Sequence, residues 1–290
     1  MWLWGRARRG RPHQTHWLTT VVGVSYPVQG IVAFGRELLR TLDLDPVYVM
    51  LHLARLDQQR LRRWLLAYCC FYHSGVSCWV ADHKKFWEAL AEAAANENRR
   101  YPRGTERRHF RGRLALKAVK DLSERYKEPE GFLDHISASH QRSRDPIDFK
   151  VVFERAQEPV GFGPWIAFKV ADMVDRCGIR PVRFEGSEPF MFKDPAMGLK
   201  FYQERYGLTH LSTTDTMARL ISEFKGWDAP PGFDRPVNVQ ECETVLCKWK
   251  SHLNGRYPVG KDTREILHHL EGWGPLADKM KRELKVVCYG

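Results

Sequence analysis

The segment Pro159-Val160-Gly161-Phe162-Gly163-Pro164-Trp165-Ile166-Ala167-Phe168-Lys169 constrains the fold more than any other. One apolar residue between two glycines lets the backbone turn sharply and approach a partner closely, and a helix opens directly after the turn. The first N–H groups of such a helix have no partner within it and point outward. A corner of this kind suits a phosphate. In the helix, Ile166, Val170, Met173 and Cys177 recur at three- and four-residue spacing and should face a core, while Lys169, Asp172 and Arg176 lie on a different face.

The same helical period dominates the rest of the chain, and alternating strand patterns are scarce. The spacing predicts helices near 31–42, 46–56 and 60–73, the last with Leu61, Trp64, Leu65 and Tyr68 as its apolar stripe. Asp82 reads as the N-cap of a helix through Ala95, and a basic helix is expected over 105–127. Further helices fit 130–137, 146–157, 164–177, 194–205, 212–225, 237–253 and, in two pieces, 261–286. The Pro- and Gly-rich run 228–236 reads as a loop. An all-α fold follows. Residues 1–29 form a basic N-terminal extension, and 30–290 form the helical body, with two lobes that could meet near 128–160.

Charge narrows the partners. The net charge is +11, and it is concentrated: residues 99–127 carry eleven Lys or Arg against three acids, and Arg6, Arg8, Arg9 and Arg11 add to it. A basic surface of this sort suits a polyanion, whereas an ordinary solvated helix face would explain it without a ligand. The seven cysteines are an odd number in a chain too long to need stapling, which suits a reducing compartment. Cys69, Cys70, Cys78, Cys242 and Cys247 fall at no zinc-finger or iron-sulfur spacing, so no metal site is expected. No apolar run approaches the roughly 20 residues of a membrane span, and the N-terminus makes a poor signal peptide, so a cytoplasmic protein is expected.

The run Val-Gly-Phe-Gly-Pro-Trp-Ile-Ala-Phe-Lys resembles the second half of the helix-hairpin-helix of the helical DNA glycosylase superfamily. That resemblance implies a helix-hairpin-helix DNA glycosylase-like fold with additional helices, and a phosphate grip on DNA by Gly161, Phe162, Gly163 and Trp165. Glycosylases usually place an Asp about twenty residues later, where this chain has Glu185 and no Asp. Three further blocks point to a narrower relative: Phe71-Tyr72-His73, Pro102-Arg103-Gly104-Thr105-Glu106-Arg107-Arg108-His109-Phe110-Arg111-Gly112, and Val239-Gln240-Glu241-Cys242-Glu243-Thr244-Val245-Leu246-Cys247-Lys248-Trp249-Lys250. Together they resemble the phage alpha-glutamyl/putrescinyl thymine pyrophosphorylases, the amino acid:DNA transferases. The resemblance implies an enzyme of a phage-infected bacterial host that acts on double-stranded DNA. There the amine of an amino acid or polyamine displaces pyrophosphate from 5-pyrophosphomethyl-uracil.

The residues can be matched to that chemistry. Departure of pyrophosphate builds negative charge, which cations stabilise; Lys169, Arg111 and Lys250 are candidates, with Mg²⁺ accompanying the pyrophosphate as an open possibility. Arg107 and Arg108, spaced with Arg111 on one expected helix, would bind DNA. An amine nucleophile must lose a proton, and Asp172, Glu243 and His73 compete as general base. Helix 237–253 places Glu241, Thr244 and Lys248 in one polar column and Glu243, Cys247 and Lys250 in another, beside a stripe of Val239, Cys242, Leu246, Trp249 and Leu253. Tyr72 would stack on an extruded base. Two other readings stay open: a helix-hairpin-helix glycosylase releasing a modified or damaged base, and a DNA-binding protein without chemistry.

Overall fold

The structure, a computed structural model, describes residues 30–96, 99–138 and 145–289; the basic extension 1–29 lies outside them. Among the described residues fourteen α-helices, two 3₁₀ turns and one two-residue strand pair make up the regular elements, so the fold is all-α as expected. They are α1 (Ile31–Arg40), α2 (Pro46–Ala54), α3 (Gln58–Phe71), α4 (Ser74–Asp82), α5 (Phe86–Ala95), α6 (Gly112–Arg125), α7 (Gly131–Ser137), α8 (Phe149–Ala156), α9 (Pro164–Arg176), α10 (Lys193–Tyr206), α11 (Thr213–Ser222), α12 (Val239–Leu253), α13 (Lys261–His269) and α14 (Pro275–Tyr289). Strands β1 (Ile147–Asp148) and β2 (Val182–Arg183) pair in parallel. One hydrophobic cluster runs through the whole, with Trp64, Trp249, Phe34 and Phe71 among its largest fully buried side chains.

Three helical expectations need correction. The stretch after His73 is helix α4, and Asp82 is its last residue, bound to Arg60 at 3.0 Å; it does not cap α5, whose N-cap is Lys85. The sequence Ser-Gly-Val-Ser-Cys-Trp-Val-Ala is a poor helix former, so burial decides its state. Gly75 lies so close to α13 that an added Cβ would meet the His269 carbonyl at 2.1 Å and Trp273 at 2.2 Å. The expected basic helix 105–127 is broken. Residues 105–107 form one 3₁₀ turn, Arg111 is extended, and Gly112 has φ 61°, so only 112–125 is α-helix.

A short strand also precedes α8 within the helix expected at 146–157. Asp148 has extended backbone and accepts the Lys150 N–H at 2.8 Å, so the helix begins after it.

The fold presents three helices to one site. Helix α8 packs on α9 across the 157–163 turn, and α10 packs on α12. The second contact is close because Gly198 has no side chain; a Cβ there would stand 2.4 Å from the Leu246 carbonyl oxygen. Gln240 of α12 donates to Asp175 of α9 at 2.8 Å, and the other Asp175 oxygen accepts the Val182 N–H at 2.9 Å. The first bond ties α12 to α9, and the second ties α9 to β2.

Candidate active site

The glycine corner is built as the sequence suggests. Gly161 has φ 79°, a left-handed conformation that favours glycine, and Gly163 is extended with open space where a Cβ would stand. Gly161, Gly163 and Pro164 are exposed while Phe162 is buried between them, its ring edge-on to Phe132. The buried ring anchors the turn and leaves the backbone of the corner facing solvent. Two side chains hold it from behind: Asp121 of α6 accepts the Val160 N–H at 2.9 Å, and Arg107 donates to the Gly161 carbonyl at 3.1 Å.

Arg107 therefore stands inside the protein. Its guanidinium lies over Phe110 at 4.5 Å and Phe162 at 5.2 Å, its Nε donates to the Cys70 carbonyl at 3.3 Å, and the residue is 8% exposed. Arg108, His109 and Arg111 are exposed, and the break at 108–111 removes the helical spacing expected to bring the arginines onto one face.

Helix α9 carries Lys169, Asp172 and Arg176 toward α12 and the start of α2, and together they form an ionic network. Lys169 Nζ donates to Glu243 Oε2 at 2.8 Å. Burial alone would lower the ammonium pKa, but Glu243, Asp172 and Asp45 outweigh it and hold the charge well above the usual lysine range. Arg176, with no exposed side-chain surface, bonds Asp45 at 2.7 Å, lies 3.6 Å from Asp172 and 3.7 Å from Glu241, and covers the Tyr48 ring. Asp172 accepts the Tyr48 hydroxyl at 2.8 Å; its other oxygen has no hydrogen bond, and burial pushes its carboxyl up to about 6. The expected polar columns of α12 are largely inside: Glu241, Glu243 and Thr244 are buried, whereas Cys247 and Lys250 are exposed. Lys250 makes no ion pair among the described residues.

Asp45, which no pattern in the sequence singles out, completes the network. It stands just before the first turn of α2, and its Oδ2 accepts from Arg176 and, at 3.1 Å, from the Thr244 hydroxyl. Burial pushes its carboxyl up, but Arg176, Lys248 and Lys169 together hold it below the usual range. The turn that carries it is clamped. Asp43 accepts from Gly260 at 2.6 Å, the Thr263 N–H at 2.8 Å and hydroxyl at 2.9 Å, and Tyr257 at 3.0 Å. Lys248 bridges the Asp43 carbonyl at 2.9 Å to Asp262 at 2.7 Å.

Tyr72 stands at the edge of this network. It has φ 51° at the end of α3, extends a stack through Tyr68 to Trp64, and meets Trp165 of α9 edge-on at 5.1 Å. Burial, then the charges of Glu106, Asp45, Asp172 and Glu243, keep its phenol protonated far above the usual range. His73, next in the chain, is turned away. Its Nδ1 accepts the Val76 N–H at 3.3 Å to cap α4, and its ring stacks on His269 at 3.9 Å. Burial and His269 lower its pKa to about 3, so it is neutral. Glu185 is exposed.

The structure thus brings Lys169, Asp172, Glu243, Tyr72 and Trp165 together behind the glycine corner and adds Asp45. It gives His73 and Arg107 to internal contacts and leaves Arg108, Arg111 and Lys250 on the surface. Among the described residues no group of three or more His, Cys, Asp or Glu is arranged to hold a metal ion. No described helix is long and apolar enough to cross a membrane. All seven cysteines are free thiols.

The helical body thus sets an exposed glycine turn beside a buried network of cations and carboxylates. Residues 38–256 match the model of the amino acid:DNA transferase family. The chain is 40% identical over 280 residues to a glycinyltransferase of Pseudomonas phage PaMx11, covering 87% of this chain and 94% of that protein. It is also 29% identical to a putrescinyltransferase of Delftia phage PhiW-14, over 88% of this chain and 82% of the relative. The chain belongs to the amino acid:DNA transferase family, and it is an enzyme.

Proposed function

We propose that this enzyme joins the amine of an amino acid or polyamine to thymine in double-stranded phage DNA, displacing pyrophosphate from the 5-pyrophosphomethyl group. The observation that carries the reading is the Lys169–Glu243 pair, which places a permanent ammonium and a carboxylate 2.8 Å apart, directly along α9 from the exposed glycine corner. Displacement of pyrophosphate by an amine needs both groups, one for the departing anion and one for the amine's proton.

In this reading the corner at Gly161 and Gly163 and the first turn of α9 receive a backbone phosphate in the manner of a helix-hairpin-helix. Arg108 and Arg111 add exposed cations along the duplex, and Lys250 adds one beyond Glu243. The extruded base lies against Tyr72 and Trp165, whose rings meet at 68° and offer a face and an edge. The amine enters as R-NH₃⁺ and gives one proton to Glu243. Its lone pair forms the N–C bond to the methylene carbon as the C–O bond breaks, and pyrophosphate leaves with that electron pair beside Lys169. Glu243 then passes its proton to the released pyrophosphate or to water.

Asp172, sealed behind Tyr48 and Arg176, holds Arg176 in place, and His73 caps α4; neither takes the proton. The setting is the cytoplasm of the infected bacterium, where the modified DNA is made.

The test is incubation with DNA containing pyrophosphomethyl-uracil and a panel of amino acids and polyamines, followed by nucleoside mass analysis. An aminated thymidine and free pyrophosphate are expected. Unchanged nucleosides with every amine, or abasic sites in their place, would overturn the reading.

A further inference from the structure

We propose that Asp45 and Glu243 together form the subsite that receives the primary ammonium of the incoming amine, with Asp45 as its fixed anchor. This rests on the transfer reaction above and adds where its second substrate binds. The two carboxylates come from opposite ends of the sequence and meet at one hydroxyl. Thr244 Oγ1 is 3.1 Å from Asp45 Oδ2 and 3.5 Å from Glu243 Oε2. In each carboxylate one oxygen is committed to a cation of the protein, Arg176 or Lys169, and the other has no hydrogen-bond partner among the described residues.

The charge count asks for a cation. Among the described residues Asp45, Asp172, Glu241, Glu243 and Asp262 make ion pairs with Lys169, Arg176, Lys248 and Arg235, and Asp43 adds a sixth buried or part-buried carboxylate beside them. Buried carboxylates are costly without a compensating charge. The site can be reached, since the Asp45 side chain is 18% exposed and Lys169 13%.

The two carboxylates have different parts. Asp45 is pinned by Arg176, by Thr244 and by the clamped turn at Asp43, so it presents its open oxygen in one place. Glu243, across the same hydroxyl, is the oxygen to which the proton moves. An ammonium held between them has its third N–H bond directed away from the wall, and its nitrogen, once deprotonated, is already confined near the Tyr72–Trp165 slot.

Steady-state transfer with glycine and with putrescine, using Asp45→Asn, tests the assignment. The KM for the amine should rise at least tenfold while the Kd for the DNA stays within twofold, and Asp45→Glu should recover part of the loss. Thr244→Val, which removes the shared hydroxyl and no charge, should raise the same KM severalfold and guards against a folding defect in the first variant. An unchanged amine KM in the folded variants, with activity lost only through kcat or DNA affinity, would overturn the subsite. Absence of transfer by the wild-type enzyme with every amine would instead overturn the reaction itself.

Discussion

Arg107 Nη1 donates to the Gly161 carbonyl at 3.1 Å while its Nε reaches the Cys70 carbonyl at 3.3 Å, so one guanidinium ties the glycine corner to the end of α3. Two residues past Cys70 stands Tyr72. The element that would grip a phosphate and the ring that would meet a base are therefore set at a fixed separation by a residue that touches neither ligand.

Arg107→Ala should lower stability by about 2 to 3 kcal/mol, because it strips the buried Cys70 carbonyl and the Gly161 carbonyl of a donor and empties the gap between Phe110 and Phe162. Exposed Arg108→Ala should leave the melting temperature unchanged, weaken DNA binding and shallow its dependence on log salt by about one. Thermal melts and a salt titration of DNA affinity separate the two. Equal melting losses would refute the distinction.

The glycines of the corner should also behave differently. Gly161→Ala forces φ 79° on a residue with a Cβ and should cost about 1 kcal/mol or more. Gly163→Ala meets no atom within 4 Å and no unfavourable φ, so the fold should tolerate it. A methyl group at that exposed position would still hold a phosphate away from the backbone. DNA affinity should fall in Gly163→Ala with no change in melting temperature.

Much of this was legible from periodicity. The buried face of α9 and the stripe of Leu61, Trp64, Leu65 and Tyr68 follow from spacing alone, because an amphipathic helix carries its core face in its own sequence. Helix α4 does not, since its small and β-branched residues are helical through burial against α3, α5, α13 and α14. Lys169 and Glu243 could each be picked out within a helix, but their pairing spans 74 residues. Asp45 left no signal: its partners Arg176 and Thr244 lie 131 and 199 residues away. The arginine block failed for another reason. Gly112 and the aromatic seat of Arg107 break a stretch whose composition reads as helix.

Lys169→Met should abolish transfer, since it leaves Glu243 buried without its cation and the departing pyrophosphate without its ammonium. Removing one partner of a pair this buried costs about 3 to 5 kcal/mol. Glu243→Gln keeps a group that can accept from Lys169 and should melt closer to the wild type, yet it cannot take a proton. A fall in kcat of about 100-fold or more in a folded Glu243→Gln enzyme is expected. A kcat near wild type would remove Glu243 from the base role.

The stacked pair of His73 and His269 should make the fold sensitive to acid. Burial first, with histidine neighbours adding to it, lowers their pKa values to about 3 and about 4, while in the unfolded chain both lie near 6.5. Between those limits the unfolded state binds more protons. Their contribution is therefore fully present above pH 6.5 and is lost as the pH falls toward 4 and then 3. Each ring contributes a slope of up to about 1.4 kcal/mol per pH unit over its window. His269→Asn keeps a polar group of similar reach but does not titrate, so chemical denaturation of this variant between pH 6 and 4.5 should show roughly half the wild-type loss. An identical pH slope in the two proteins would mean that the pair does not sense acid, and that carboxylates of the ionic network govern the loss instead.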